Sequence, residues 1–122
     1  MKTDLAVILE NRPGTLADLG EALGKAGINI EGVCGGGSGK EAYVHILVSD
    51  EAAAQRVLKA AGFVVRDPRE MLLVAIEDKP GEMGRLARKL ANAGVNIELG
   101  YLATGGQLAL GIDDLQKARS VL

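Results

Sequence analysis

Two short turns carry the polar residues best suited to holding a small ligand. They are residues 10–14 (Glu-Asn-Arg-Pro-Gly) and residues 77–81 (Glu-Asp-Lys-Pro-Gly), and each follows a short apolar run. Glycine lets a ligand approach the backbone, and the free amides at the start of the following helix favour an anionic group. Asn11 adds a side chain that offers both a donor and an acceptor. The pattern predicts a site for a small zwitterion, whose carboxylate binds amides and whose ammonium binds asparagine oxygens. The alternative is that Pro-Gly only starts a helix and that Asn29, past the end of that helix, is only an end-of-helix polar residue.

No pattern in the sequence indicates catalysis, a metal or a cofactor. The glycine-rich residues 35–40 fail as a phosphate-binding loop, because Cys34 and Glu41 stand where a glycine and a hydroxyl are needed. Cys34 has no histidine or carboxylate at a recognisable spacing for a nucleophile. His45 is the single histidine and cannot build a metal site with one cysteine and scattered acids. We therefore expect a protein that is not an enzyme, with no catalytic residue, no metal and no cofactor.

The elements around the two turns form an internal repeat. Pro13 and Pro80 are separated by 80 − 13 = 67 residues, and over residues 5–33 the same offset gives 12 identities in 29 positions. Those identities include the Pro-Gly pair, the helix-facing leucines and a Gly-x-Asn-Ile-Glu run. A duplication of one folding unit explains them.

Each copy is predicted to contain strand, helix, strand, strand and helix. Leucines spaced three and four residues apart predict an amphipathic helix after each Pro-Gly, which Gly27 and Gly94 end. Residues 34–41 are predicted to be a flexible hairpin loop. Ser49 and Asp113 are predicted to cap the second helices. Only the first copy has a fourth strand, at residues 63–66, which Asp67-Pro68 is expected to break.

Composition limits the class of protein. Fourteen basic and sixteen acidic residues give a net charge of −2, without the basic field that nucleic-acid binding needs. No apolar run is long enough to span a membrane or to form a signal-peptide core. A single cysteine excludes an internal disulfide and fits a reducing, cytoplasmic location. We expect no nucleic-acid partner and no membrane partner.

The motif Asn-x-Pro-Gly-x-Leu, followed by a helix, Gly-Ile-Asn-Ile, a hairpin and a second helix, resembles the ACT domain family. The resemblance extends over both copies, residues 1–67 and 68–122. It implies an α+β fold of two ferredoxin-like βαββαβ repeats, with antiparallel sheets that carry helices on one face. The second repeat would lack its own final strand. The second copy also resembles the regulatory domain of phosphoglycerate dehydrogenase.

The resemblance also implies a site. In serine-responsive members of the family, the asparagine before Pro-Gly and the asparagine after the helix contact the effector, which assigns those roles to Asn11 and Asn29. In the second copy Asp78 replaces Asn11, and its carboxylate would repel the carboxylate of a ligand, so the first copy is the better site. The predicted ligand-binding residues are Asn11, Pro13, Gly14, Thr15, Leu16, Asn29 and Ile30, with Asp78, Gly81, Glu82, Met83, Asn96 and Ile97 in the second copy.

The function expected on these grounds is a regulatory protein of two ACT domains that binds an amino acid or similar metabolite. It would act through a partner or through its oligomeric state, as a homodimer or together with an enzyme of amino-acid metabolism. The alternative is an interaction module, similar to a small subunit, that joins an amino-acid biosynthetic enzyme and binds no ligand of its own.

Overall fold

The computed structural model describes residues 2–122, which divide into two compact units. Unit 1 ends at Glu70, and unit 2 runs from Met71 to Leu122. The sequence repeat places the boundary between residues 67 and 68, so the division in the structure falls three residues later, 70 − 67 = 3.

Unit 1 is an α+β sandwich of four strands and two helices. Its elements are β1 (Thr3–Glu10), α1 (Thr15–Lys25), β2 (Gly32–Ser38), β3 (Glu41–Val48), α2 (Glu51–Ala60) and β4 (Val64–Glu70). Within the unit the strands lie in the order β4-β1-β3-β2, and every neighbouring pair is antiparallel. This order and the βαββαβ sequence of elements are the ferredoxin-like arrangement that the first copy predicted.

The core of unit 1 lies between the sheet and its two helices. Alternate residues of β1 (Leu5, Val7 and Leu9) are buried, as the two-residue period of a strand requires. They pack with Leu19 and Leu23, which lie four residues apart on one face of α1. Full burial of each such side chain stabilises the fold by ~1.5–3 kcal/mol. The packing holds the start of α1 against the end of β1, where the first Pro-Gly turn lies.

Unit 2 contains three strands and two helices. Its elements are β5 (Leu72–Ala75), α3 (Glu82–Asn92), β6 (Ile97–Ala103), β7 (Gln107–Ile112) and α4 (Leu115–Val121). The strands of this unit lie in the order β6-β7-β5 and pair antiparallel. Leu86 and Leu90 of α3 pack with the buried face of β7, where Leu108 and Leu110 lie. The alternating residues that the sequence predicted for the third strands belong to the cores of their units, namely Val44, Ile46 and Val48 of β3 and Leu108, Leu110 and Ile112 of β7. The intervening residues of β7 are also buried, so burial itself does not alternate along that strand.

The glycine run of the first copy is a strand, so the prediction of a flexible loop over residues 34–41 is wrong. Residues 34–38 pair in register with β3, and only Gly39 and Lys40 remain as the turn. Gly39 takes a positive φ of 65°, which glycine adopts without strain. Glycine has a low strand propensity, but its backbone can still form the hydrogen bonds that pair β2 with β3.

The fourth strand does not end at Arg66. β4 continues through Asp67 and Pro68 to Glu70 and pairs with β1 along its length. The register of this pairing shifts between Asp4 and Ala6, and Asp67 has a φ of 35°, so the chain passes the proline by an irregularity in the strand. Proline is tolerated there because β4 is at one end of the strand order of its unit.

The helix caps lie one residue later than the sequence indicated. Asp50, not Ser49, caps α2 by accepting from the amide of Ala53 at 3.0 Å. Asp114, not Asp113, caps α4 by accepting from the amide of Lys117 at 2.9 Å. Serine and aspartate are both good capping residues, and propensity alone does not decide between adjacent positions.

Candidate ligand-binding grooves

The first Pro-Gly turn joins the end of β1 to the start of α1 without a side-chain cap. Gly14 precedes the helix with a φ of 95°, a left-handed conformation suited to glycine, and its carbonyl accepts the amide of Asp18 at 2.9 Å. The hydroxyl of Thr15 turns back to the strand, where its Oγ1 donates to the carbonyl of Glu10 at 2.9 Å. The amides of the first helical turn therefore have no partner within the helix.

The turn is one wall of a groove of about 440 Å³, which we call the first groove. The turn and the helix start contribute residues that the sequence predicted: Asn11, Pro13, Gly14, Thr15 and Leu16. The opposite wall is formed by β2 and β3, with Val33, Gly35, Gly36, Ala42 and Val44. Leu16 and Val33 are more than half exposed, at 57% and 52%, so the groove offers apolar surface beside the amides of the helix.

Glycine is required in the β2 wall because the backbone of β3 lies close behind it. A Cβ atom on Gly35 would lie 2.7 Å from the carbonyl oxygen of Tyr43, closer than such atoms approach. A Cβ atom on Gly37 would lie 2.7 Å from Oδ1 of Asn11. The glycine run thus leaves the wall of the groove as bare backbone. Sequence reasoning missed Gly35 and Gly36 as groove residues because it took residues 34–41 for a loop, and it did not identify Val33, which precedes that segment.

Asn11 ties the turn to the hairpin of β2 and β3. Its Nδ2 donates to the carbonyl of Gly39 at 2.9 Å, and its backbone amide donates to the carbonyl of Lys40 at 2.8 Å. The donor of the side chain is thereby used within the protein. Its Oδ1 acceptor lies on the side of Gly37, and Asn11 is one of the residues that line the groove.

The second Pro-Gly turn forms an equivalent groove in unit 2, which we call the second groove. Gly81 repeats the conformation of Gly14, with a φ of 90°, and accepts the amide of Arg85 at 2.9 Å. The groove has a volume of about 450 Å³. Its lining includes the predicted residues Asp78, Gly81, Glu82 and Met83, together with Ile76, Glu77, Lys79, Leu102, Ala103, Gly106 and Gln107.

The main electrostatic difference between the two grooves lies at the first helical residue. Glu82 replaces Thr15, and although it carries a carboxylate it is only 8% exposed. Arg85 donates to it from Nη2 at 3.0 Å, and Nζ of Lys79 lies 3.9 Å from it. The hydrogen bond from Arg85 holds the pKa of Glu82 below its ordinary value, and the charges of Arg85 and Lys79 act in the same direction. The carboxylate is therefore ionised at neutral pH.

Asn29 does not lie in the first groove. It lines a separate cavity of about 310 Å³ with Ala26, Gly27, Ile28, Glu31, Ser49, Asp50 and Ala53, beyond the other end of α1. The 11 residues of α1 give that helix a length of ~16 Å, so one unit does not bring Asn11 and Asn29 together. Ile30 packs against the core of unit 1.

The matching asparagine of unit 2, Asn96, is held through its own backbone by Asp113. The amide of Asn96 donates to Oδ1 of Asp113 at 3.0 Å, and its carbonyl accepts the amide of Asp113 at 3.2 Å. Ile97 packs against the core of unit 2. The residues that the sequence predicted thus form two groups in each unit, one at each end of the first helix.

The two other residues weighed for a chemical role, His45 and Cys34, line neither groove. His45 lies beside the buried Asp4, with Nδ1 at 2.8 Å from Oδ2 of that carboxylate, and Cys34 is exposed on β2. Among residues 2–122 no three histidine, cysteine or acidic side chains are placed to hold a metal ion. In the same part of the chain, no helix is long and apolar enough to cross a membrane.

Comparison with known proteins places the first unit in a family. Residues 3–62 match the model of the ACT domain. Protein BT0572 from Bacteroides thetaiotaomicron superposes with a TM-score of 0.85 at 26% identity, over 98% of this chain and 85% of its own. Among proteins with curated descriptions, none matches the sequence significantly.

Two further similar structures are regulatory subunits of aspartate kinase. The subunit from Thermus thermophilus, in its ligand-free form, has a TM-score of 0.74 at 17% identity and covers 99% of this chain and 92% of its own. The subunit from Thermus flavus has a TM-score of 0.62 at 20% identity and covers 98% and 87%. At these identities the likeness concerns the fold.

Proposed function

We propose that this protein is an amino-acid-binding regulatory protein whose ligand occupies the first groove, since residues 3–62 match the model of the ACT domain. The observation that carries the proposal is the start of α1, where uncapped amides face a groove walled by bare glycine backbone and by exposed apolar side chains. A helix start of this kind binds a carboxylate through its amides and its dipole.

The rest of the first groove suits the other parts of an amino acid. Oδ1 of Asn11 provides an acceptor for the ammonium group at the rim. Leu16, Val33 and Val44 provide apolar contact for a side chain. Asn29 enters the proposal only if a second unit brings its helix end to this groove, since a single unit holds it at the far end of α1.

The proposal of a regulatory role rests on the ACT domain match of unit 1 and on the repeat of its elements in unit 2. Unit 2 reproduces the strand-helix-strand-strand-helix order of unit 1, with equivalent turns 67 residues apart, and we propose that it is a second ACT repeat. A ligand acts on such a protein by binding one of its conformations or assemblies more tightly than the others. The proposed readout is a change in a homodimer or in the attachment of an enzyme of amino-acid metabolism. The fold shared with aspartate kinase regulatory subunits supports this kind of role.

Calorimetric titration with the twenty common amino acids tests the proposal. We expect at least one to bind, and we expect Leu16→Asp to weaken that binding by at least about tenfold, or about 1.4 kcal/mol, because a fixed carboxylate then lies at the helix start. Leu16 is 57% exposed, so the change leaves the core intact. An acidic residue in the first turn also favours the helix.

The second groove supplies a matched control. Met83 occupies the position equivalent to Leu16 and is 49% exposed. Met83→Asp is expected to leave amino-acid binding unchanged. If no amino acid binds the unmodified protein, the sensor is excluded and the ligand-free interaction module becomes the better account. Equal affinities in the unmodified protein and in Leu16→Asp would remove the first groove as the site.

A further inference from the structure

The first residue of α1 and the first residue of α3 occupy equivalent places, but their side chains differ in charge. Thr15 and Glu82 each follow the left-handed glycine of a Pro-Gly turn, and each is nearly buried, at 9% and 8% exposure. Both helices begin with a hydrogen bond of 2.9 Å from the amide of their fourth residue to the glycine carbonyl, but that residue is Asp18 in α1 and Arg85 in α3. Asp18 does not line the first groove and Arg85 does not line the second. Among the helical residues that do line the grooves, the difference in charge lies at Thr15 and Glu82.

Thr15 brings no charge to the first groove, and Asp18, the acid in the first turn of α1, does not line that groove. Its hydroxyl donates to the carbonyl of Glu10 at 2.9 Å and lies 3.2 Å from the carbonyl of Arg12, so it closes the turn from behind. The nearest cation, Arg12, is paired with Glu10 at 2.8 Å, and both side chains of this pair are more than half exposed. Exposed pairs of this kind are worth ~0–1 kcal/mol, so Arg12 can exchange its partner for a ligand at little cost.

Glu82 supplies the start of α3 with an anion from the chain itself. A carboxylate in the first turn is the charge that the helix dipole favours. This carboxylate also engages the cations around it, with Nη2 of Arg85 at 3.0 Å and Nζ of Lys79 at 3.9 Å. Lys79 is further paired with Glu77 at 3.1 Å. A ligand carboxylate entering the second groove would meet occupied cations and a fixed like charge.

We infer that Glu82 is an internal substitute for the ligand carboxylate, so that the chain binds one amino acid, in the first groove, and leaves the second groove closed to carboxylates. The inference rests on the proposed function, since it needs the first groove to bind an amino acid. It also attributes the difference in ligand binding between the two copies to a different residue. Sequence comparison attributed it to Asp78, but Asp78 is exposed, whereas Glu82 lies at the helix start itself.

The test is the number of sites per chain in calorimetric titrations with the twenty common amino acids. The unmodified protein is expected to bind one equivalent. Glu82→Thr, which installs the residue of unit 1, is expected to bind a second equivalent. Glu82→Gln, which removes the charge and keeps most of the length, should open the groove as well, because the inference concerns charge.

The reciprocal change closes the first groove. Thr15→Glu is expected to weaken binding at the first groove by at least about tenfold, while Thr15→Gln weakens it less, because only the former adds a charge. Unit 2 shows that the fold accommodates glutamate at this place. Circular dichroism and thermal unfolding of each variant establish that a loss of binding is not a loss of folding.

The outcomes separate this inference from the function on which it rests. Two equivalents in the unmodified protein, or one equivalent in both Glu82 variants, would overturn the inference and leave the amino-acid sensor in place. A second site in Glu82→Thr but not in Glu82→Gln would also overturn it, because size would then be the barrier. The absence of binding in the unmodified protein and in every variant would overturn the proposed function itself.

Discussion

At the scale of single residues, the shape of the first groove depends on glycines, because no side chain fits at their positions. Gly35 and Gly37 lie where a Cβ atom would meet the carbonyl of Tyr43 and the side chain of Asn11, each at 2.7 Å. Asn11 in turn binds the carbonyl of Gly39. Asn11 therefore connects the Pro-Gly turn to the hairpin of β2 and β3. In our proposal, a ligand that shifts the turn also shifts this hairpin.

Gly35→Ala is expected to lower the free energy of unfolding by about 1–3 kcal/mol, because the new Cβ meets backbone that cannot move away without disturbing the sheet. Urea denaturation measures the change. Gly36→Ala is the matched control in the same strand: its Cβ would have open space, so the variant should keep the stability of the unmodified protein to within about 0.5 kcal/mol. Equal losses in the two variants would contradict the close approach at Gly35.

Glu31 makes the stability of the fold depend on pH. Lys2 and Ser49 donate to its carboxylate, and these hydrogen bonds lower the pKa of Glu31. Because the pKa is lower in the folded state than in the unfolded state, the stabilisation is complete above the unfolded value of about 4.3 and disappears as the pH falls through the folded value. Glu31→Gln should thus flatten the dependence of unfolding free energy on pH below about 5.

Urea unfolding at a series of pH values measures this slope. Glu21→Gln, on the exposed surface of α1, is the control and should keep the slope of the unmodified protein. Glu82 also has a lowered pKa, so part of the slope should remain in Glu31→Gln. A slope identical to that of the unmodified protein would show that the Lys2 and Ser49 contacts contribute nothing.

At the scale of elements, periodicity predicted most of the fold and failed where glycine and proline occur. The leucine spacing of α1 is confirmed, and the alternate apolar residues predicted in β3 and β7 lie in the cores of their units. The run of glycines in β2 has no side chains to show a period, and its pairing with β3 is decided by the neighbouring strand. Likewise, β4 passes Pro68 because it ends the strand order of its unit, which is a fact of tertiary structure.

The sequence predicted one wall of the first groove, the wall that the Pro-Gly turn forms. Asn11, Gly14 and Leu16 are neighbours in sequence, and the turn conformation brings them to one groove. The opposite wall comes from a strand about twenty residues further on, and no local pattern reveals it. The placement of Asn29 at the other end of α1 follows from the length of a helix, which the sequence also shows.

The caps provide an element-scale prediction. Asp50→Ala should lower the free energy of unfolding by about 1 kcal/mol, because the amide of Ala53 loses its acceptor at the start of α2. Asp50→Asn is the control and should retain most of the stability, since asparagine caps helices about as well as aspartate. Thermal or urea unfolding of the two variants measures the loss in stability. If the two variants lose the same amount, the negative charge of Asp50 matters and the cap does not.

At the scale of the whole molecule, we propose that the two units are copies of one fold that differ in ligand binding. Unit 1 carries an open helix start with a glycine wall, and unit 2 carries an equivalent helix start with its own carboxylate. An amino acid would then act on one unit of each chain. In our proposal the effect of binding is transmitted through assembly or through a partner.

Assembly can be tested without knowing the partner. Sedimentation velocity, run with and without the amino acid found by calorimetry, is expected to show a dimer whose share rises when the ligand is present, by mass action. A ligand at a hundredfold excess over its dissociation constant stabilises the state that binds it by about 2.7 kcal/mol. A monomer under both conditions would exclude the homodimer and direct the search to an enzyme partner.

The most direct test of the central claim is a ¹H–¹⁵N correlation spectrum recorded during titration with the amino acid that binds. The account predicts that the amide signals of Thr15, Leu16 and Gly35 move with ligand concentration and saturate at one equivalent, while those of Glu82 and Met83 stay in place. Signals that move at Glu82 and Met83, or only around Ala26–Asn29 at the far end of α1, would contradict it.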